Sequence, residues 1–397
     1  MGGYMETGEG IVGVISHLTH QLSELPCPWL TCANGPVATD DFSNSRLSVQ
    51  ESTRNGLQNV TYPQSIQCID TISRSETPLN AAVLRQFGKP PRCEEFREPI
   101  AGDGEVIVHV DAAALKPVDK QLASGSHYAS PRELPIVCGS DGVGHLSNGQ
   151  RVFFGGARSP FGAMAQRTVV RQAFCFPVPA NVDDETAAAL PNPAVSAWLS
   201  LAFRAKLVPG EHVLVLGATG VTGKLAVRIA KLLGAGRIVA AGRNREVLNT
   251  LHSLGADATI QLDGSASELS EAFAREAGAS GFQVIIDYIW GPPVEALLAA
   301  ITRREFAAVN SETRLVQVGE NAGKTISLPA AVLRSTALTI MGTAGIPDRG
   351  VLLDAMDRVM RYAAAGDLVV DTFCIPLADI ETAWEDEQAG HRTVIVP

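Results

Sequence analysis

Residues 217–223, Gly-Ala-Thr-Gly-Val-Thr-Gly, are the types from which an anion site is built. Gly217, Gly220 and Gly223 let a turn of backbone come close to a ligand. A helix opening directly behind them points unpaired N–H groups outward. The anion suited to such a site is a dinucleotide pyrophosphate. Aligned on Gly220 and Gly223, the first glycine of the G-x-G-x-x-G fingerprint is Ala218, with Thr219, Val221 and Thr222 filling the other places. The ribose-reading side chain belongs about 20 residues further on. That place holds Gly242-Arg243-Asn244-Arg245, with no Asp or Glu. A carboxylate there would bind a free ribose 2′-hydroxyl and repel a 2′-phosphate, whereas a guanidinium favours the phosphate. Arg243, beside Asn244, therefore points to NADP(H) rather than NAD(H); the competing reading is a solvated arginine at a helix start.

The elements that must position these residues are legible around them. Val213-Leu214-Val215-Leu216 is a continuous apolar run, as in a parallel strand covered on both faces. Leu225, Ala226, Ile229, Ala230 and Leu233 then repeat at helical spacing, and Gly234 stands where a helix would end. Strands at 237–241, 258–262, 283–287 and 315–319 alternate with helices at 246–254, 267–277 and 292–302, which predicts a doubly wound parallel sheet. Residues 338–342 add a sixth, edge strand, a natural place for a homodimer to pair.

Upstream, residues 79 to about 200 read as mostly β, with strands at 80–85, 104–115, 149–154 and 162–170, in the manner of a partly open barrel. Helical patterns follow at 183–190 and 192–204. Beyond the sheet the chain predicts a helix at 350–364, a strand near 369–373, a helix at 379–387 and a last strand at 393–396, returning to the β-rich part. Residues 1–78 differ, being rich in Ser, Thr, Asn, Gln and Gly without a period. They read as a flexible extension or as residues outside the fold. His17, His20, Cys27 and Cys32 fall there without a recognised zinc-site spacing.

Bulk properties narrow the function classes. A net charge of −10 argues against non-specific nucleic-acid binding. No apolar run is long enough to span a membrane, and no basic stretch leads into an apolar core at the N-terminus. The 7 cysteines include no C-x-x-C pair, which fits a reducing cytoplasm.

Three strings carry a family resemblance. Residues 209–223, Pro-Gly-Glu-His-Val-Leu-Val-Leu-Gly-Ala-Thr-Gly-Val-Thr-Gly, the tail Ile-Pro-Leu-Ala-Asp-Ile-Glu-Thr-Ala-Trp at 375–384, and the closing Thr393-Val394-Ile395-Val396-Pro397 resemble the medium-chain dehydrogenase/reductase superfamily, in its zinc-independent quinone oxidoreductase-like branch. The resemblance spans 79–397 and accounts for Ala218, since that branch often has alanine there. It implies an α/β fold: a GroES-like, β-rich catalytic domain from 79–200 and 336–397, and a Rossmann NADP-binding domain from 201–335.

The resemblance also implies roles. Gly220 and Gly223 approach the pyrophosphate. Lys231 matches a lysine that reaches the 2′-phosphate, against the alternative of a solvated helix residue. Ser196, in Ala194-Val195-Ser196-Ala197-Trp198, matches a position near the nicotinamide. Tyr288 and Gly319 end strands that face the crevice. Tyr128, after Ser124-Gly125-Ser126-His127, is similar to a tyrosine that orients or protonates substrate, against the alternative of a packed aromatic. Lys116 stands where the family has Asn before Pro-Val-Asp, so that asparagine's role does not transfer.

The resemblance further implies an NADPH-dependent transfer of hydride to a quinone or α,β-unsaturated carbonyl. One alternative is a zinc-type alcohol dehydrogenase, whose family supplies a Cys before the first domain's glycine turn and then a Gly-His-Glu segment. Here the matching stretches are Leu115-Lys116-Pro117-Val118-Asp119 and Gly139-Ser140-Asp141, and the four-cysteine lobe is absent. No metal ligands are expected. The other alternative is a non-catalytic NADPH-binding sensor or structural protein.

Overall fold

In the computed structural model, described residues are 78–127, 129–302, 312–343, 348–385 and 390–397. Tyr128, the four His and Cys residues of the extension and the C-terminal end of the helix expected at 379–387 lie outside them.

Among the described residues the first elements are β1 (Leu79–Leu84) and β2 (Arg92–Phe96), then β3 (Glu105–Ala114) and a short helix α1 (Pro117–Ala123). Next come β4 (Ile136–Val137), β5 (Asp141–Leu146), β6 (Arg151–Gly155), β7 (Arg167–Arg171) and β8 (Cys175–Pro177). β1 pairs antiparallel with β2 and β4 in a small sheet. β3 is the spine of a larger sheet, pairing antiparallel with both β5 and β7. Helices α2 (Asp184–Ala189) and α3 (Pro191–Trp198) follow, and a π-helical stretch at Leu199–Arg204 leads out of the β-rich part.

The second half alternates strictly: β9 (His212–Leu216), α4 (Val221–Leu232), β10 (Arg237–Gly242), α5 (Arg245–Leu254), β11 (Ala258–Gln261), α6 (Ala266–Ala277), β12 (Val284–Asp287), α7 (Pro292–Ile301), β13 (Thr313–Gln317), α8 (Ala330–Ser335) and β14 (Leu338–Gly342). All six strands are parallel, in the order β11-β10-β9-β12-β13-β14. This is the doubly wound order, with its switch point between β9 and β12. The apolar run in β9 exists because each sheet face has its own core. Val213 and Val215 enter one cluster, Leu214 and Leu216 the other, and all four are fully buried. Such burial stabilises by about 25 cal/mol per Å² of apolar surface removed from water.

The tail supplies α9 (Arg349–Ala364), β15 (Thr372–Pro376), α10 (Ile380–Glu385) and β16 (Arg392–Val396). β16 pairs with β3 through Val394–Ala114 and Ile395–Ala113, so the chain closes on the β-rich part. β15 lies three residues later than the sequence pattern places its strand, because parallel register with β16 begins at Thr372–Arg392. Tyr362 of α9 stacks at 5.8 Å on Trp198 of α3. Lys224 and Arg228, one turn apart on α4, bind Asp371 (3.0 Å) and Asp367 (2.7 Å) in the connector to β15. The nucleotide-type sheet is thereby held against the β-rich part.

Candidate functional site

The fingerprint forms the turn from β9 into α4. Gly217 adopts φ +82°, and its N–H and that of Ala218 both donate to Ala241 O at 2.9 Å. Ala218 is fully buried, so its side chain anchors the turn and does not face the crevice. Gly223 is the close-approach position: a Cβ there would stand 2.3 Å from Gly217 O and 2.6 Å from Ala218 Cα. Gly220 is the reverse, exposed, with nothing nearer its added Cβ than Gly217 O at 3.6 Å. Gly220 is also the N-cap of α4, and no side chain caps that helix. The first-turn N–H groups beside half-buried Val221 and Thr222 are thus available to an anion.

Thr219 packs on the end of β10, where a Cβ on Gly242 would collide with it at 2.4 Å. That contact sets Arg243 next to the fingerprint. Arg243 is exposed and has no partner among the described residues, whereas Arg245 is held by Gln261 at 2.7 Å. Asn244 serves its own helix: its Oδ1 accepts the Val247 N–H at 3.1 Å and caps α5.

Lys231 requires a correction. It lies ten residues beyond Val221, near the C-terminal end of α4, about 15 Å along the helix axis at 1.5 Å per residue. Its stem packs where a Cβ on Gly255 would be, 2.9 Å from Lys231 Cγ. That is the C-terminal end of α5, opposite Arg243, so the side chain cannot share a 2′-phosphate with it.

The carboxyl ends of β12 and β13 complete this wall. Tyr288 Cβ would lie 3.2 Å from a Cβ on Gly217, and Tyr288 O 2.5 Å from one on Gly319, so the three backbones converge. The Tyr288 side chain itself turns into the core; its hydroxyl has no partner, and burial raises its pKa. Asp287 Oδ1 accepts the N–H groups of Ile289 (2.9 Å) and Trp290 (3.0 Å), the latter at an unusual φ of +55°. Asp287 Oδ2 has no partner, and burial pushes the carboxyl up to about 6.

A buried cluster of charge lies just past the end of β3. Lys116 is 3% exposed at the end of β3. Its ammonium donates to Ala114 O (2.8 Å) and Asp141 Oδ1 (2.9 Å) and lies 3.4 Å from Asp119 Oδ2. Burial opposes the charge, but the two carboxylates outweigh it and hold Lys116 above its ordinary pKa. Asp119 Oδ1 accepts both the N–H and the hydroxyl of Ser140, and Asp141 Oδ2 accepts from Asn192 Nδ2 at 2.9 Å. Asn192 is the second residue of α3, and Ser196, half-buried, lies one turn on. His127 Nδ1 accepts the Ala129 N–H at 3.2 Å; burial lowers its pKa and the Glu320 carboxylate opposes this, so the loop after α1 faces the loop after β13.

A zinc ion does not fit this donor set. The stretches that would have to supply ligands place an ammonium between their two carboxylates. Sequence reasoning assigned no role to Asp119, Asp141 or Asn192. The Lys116-x-x-Asp119 spacing was the available signal, since Asp119 Oδ2 accepts the Lys116 N–H at 2.9 Å.

Comparison with known proteins gives concordant matches. A family model described as zinc-binding dehydrogenase matches residues 221–359. Quinone oxidoreductase-like protein 2 of Rattus norvegicus is 27% identical over 272 residues, 66% of this chain and 74% of that protein. The chloroplastic NADPH-dependent alkenal/one oxidoreductase of Arabidopsis thaliana is 32% identical over 178 residues, 41% of this chain and 46% of its own. The crystal structure of the quinone oxidoreductase from Thermus thermophilus, solved also as its complex with NADPH, has a TM-score of 0.65 at 27% identity and covers 80% of this chain and 100% of that one.

Proposed function

The chain belongs to the medium-chain dehydrogenase/reductase superfamily, in its quinone oxidoreductase-like branch, and from that premise we propose that it is an NADPH-dependent reductase of quinones or α,β-unsaturated carbonyl compounds that works without zinc. The observation that carries this reading is the open, uncapped start of α4 at Gly220 standing beside the unpartnered Arg243 guanidinium. Relatives whose names specify NADPH, quinone or alkenal support it.

When bound, NADPH supplies a hydride from nicotinamide C4. The N–H groups at the start of α4 hold the pyrophosphate, and Arg243 takes the 2′-phosphate as a charge-assisted pair. Ser196 and the converging backbones of Gly217, Tyr288 and Gly319 border the nicotinamide. Tyr128, next to His127, orients the substrate oxygen or protonates the reduced product. Quinones and enones accept hydride without a Lewis acid, because the charge delocalises onto their oxygens. The Lys116 ammonium between Asp119 and Asp141 favours a metal-free site. The open edge of β14 suits pairing with a second copy. Four described cysteines are free thiols, in keeping with a cytoplasmic setting. Among the described residues no helix is long and apolar enough to cross a membrane.

The test is NADPH consumption, followed by absorbance, against quinones, enones, enoyl thioesters and simple alcohol–carbonyl pairs. Turnover on one of the first three classes is expected. Tight NADPH binding without turnover on any of them would point instead to a cofactor-holding sensor.

A further inference from the structure

Charge is concentrated in the β-rich part, where β3 runs into α1. Lys116, Asp119, Asp141 and Arg392 are all buried, at 3%, 3%, 4% and 8% exposure. Two cations meet two carboxylates, so the cluster carries no net charge when all four are ionised. Each carboxylate oxygen has a donor: Asp119 Oδ2 takes the Lys116 N–H, Asp119 Oδ1 takes Ser140, and Asp141 is shared between Lys116 and Asn192. Arg392 of β16 donates to Leu115 O at 3.2 Å. A cluster of this kind adds little stability over an apolar filling, because desolvation offsets the attraction. What it adds is a fixed geometry.

One link leaves the cluster for the helix that borders the crevice. Asp141 Oδ2 accepts from Asn192, in the first turn of α3. Ser196 is four residues on, on the same helix face. The other oxygen of Asp141 is held by the Lys116 ammonium at 2.9 Å. Lys116 is too buried to touch a substrate, and its donors are spent on Ala114 O and the two carboxylates.

We propose that Lys116 is a positioning residue: its ammonium is a resident cation that pins Asp141 and, through Asn192, the helix carrying Ser196 against the nicotinamide end of the crevice. The proposal rests on the reductase reading above. Under it, hydride transfer depends on Lys116 although the side chain meets neither reactant.

The test uses the full chain with Lys116→Ala and added alkylammonium ions. Kcat on the best quinone or enone is expected to fall on the order of a hundredfold, the scale of a misplacement near 1 Å, while the Kd for NADPH stays within about threefold, because the phosphate contacts are untouched. Ethylammonium should restore kcat saturably and raise the variant's Tm, and ethanol, of similar size without charge, should do neither. The double variant Lys116→Ala/Asp141→Asn should not respond to ethylammonium. If Lys116→Ala does not fold, Asn192→Ala cuts the link at an exposed residue, and the same loss of kcat with NADPH affinity kept is expected. Wild-type kcat in Lys116→Ala or in Asn192→Ala overturns the proposal, as does a folded Lys116→Ala that ignores ethylammonium. The reductase reading fails separately, if the wild-type protein turns over nothing in the panel. The resident cation is then still read from the ethylammonium-dependent Tm, and its absence there overturns it.

Discussion

The two halves of the candidate site, the nucleotide wall and the charged wall, are built by opposite means. The nucleotide wall is almost all backbone: glycine close approaches, open N–H groups and a single free guanidinium at its end. The charged part is side chain, with the Lys116 ammonium paired between two carboxylates out of water and Arg392 buried beside them. The difference extends to the acids. Asp119 and Asp141 have a donor for every oxygen, whereas Asp287, on the nucleotide wall, leaves Oδ2 without one. A wall made of backbone tolerates almost no change of shape, while a wall made of charges tolerates little change of balance.

The largest effect is expected from adding one methyl group to the backbone wall. Gly223→Ala would press a Cβ to within 2.3 Å of Gly217 O, costing about 3 kcal/mol by overpacking and displacing the turn. Urea denaturation should show that loss, and calorimetric titration should find no NADPH binding.

The next effect comes from the unpaired acid. Burial raises the Asp287 carboxyl to about 6 from an ordinary 3.8. The folded state therefore holds a proton that the unfolded chain has released, and stability falls as pH rises between these values. Asp287→Asn can keep the acceptor for Ile289 and Trp290 but has no charge. From pH 4 to pH 7 the wild type should lose about 2 kcal/mol more than the variant, measured by urea denaturation at both pH values. Equal losses would mean that Asp287 is not carried as an unpaired buried acid.

Smaller still is the guanidinium. Arg243→Ala should weaken NADPH about tenfold, the scale of one charge-assisted hydrogen bond, and leave NADH unchanged; equal losses by calorimetry would remove its phosphate role. Lys231→Ala should change neither affinity by more than about 0.5 kcal/mol, since that side chain stands at the far end of α4.

How far each wall was legible follows from its construction. The backbone wall is local. An apolar run, three glycines and a helical stripe lie within some twenty residues, and the fold around them repeats that grammar. Lys231 was misplaced because a motif match ignores helical rise: ten residues carry a side chain the length of a strand. Asn244 was read for a ligand where the local need was a cap. Strand β5 was missed, since Asp-Gly-Val-Gly-His-Leu does not look like a strand. Gly144 is there because its backbone runs so near β3 that a Cβ would stand 2.1 Å from His109 O. The charged wall was not legible at all as a unit. Lys116 and Asp141 are 25 residues apart and Asp141 and Asn192 are 51 apart, so only the closed fold brings them together.

The chemistry proposed for this protein is transfer of a hydride from NADPH to an unsaturated carbonyl or quinone carbon. The measurement that tests it most directly follows deuterium from NADPH labelled at nicotinamide C4 into the product, by mass spectrometry and NMR. Stoichiometric transfer from one face of the ring is expected when an enone is reduced, with the label on the carbon β to the carbonyl. Enone reduction with no deuterium at that carbon, or NADPH bound tightly and left unconsumed by every quinone and enone offered, would contradict it.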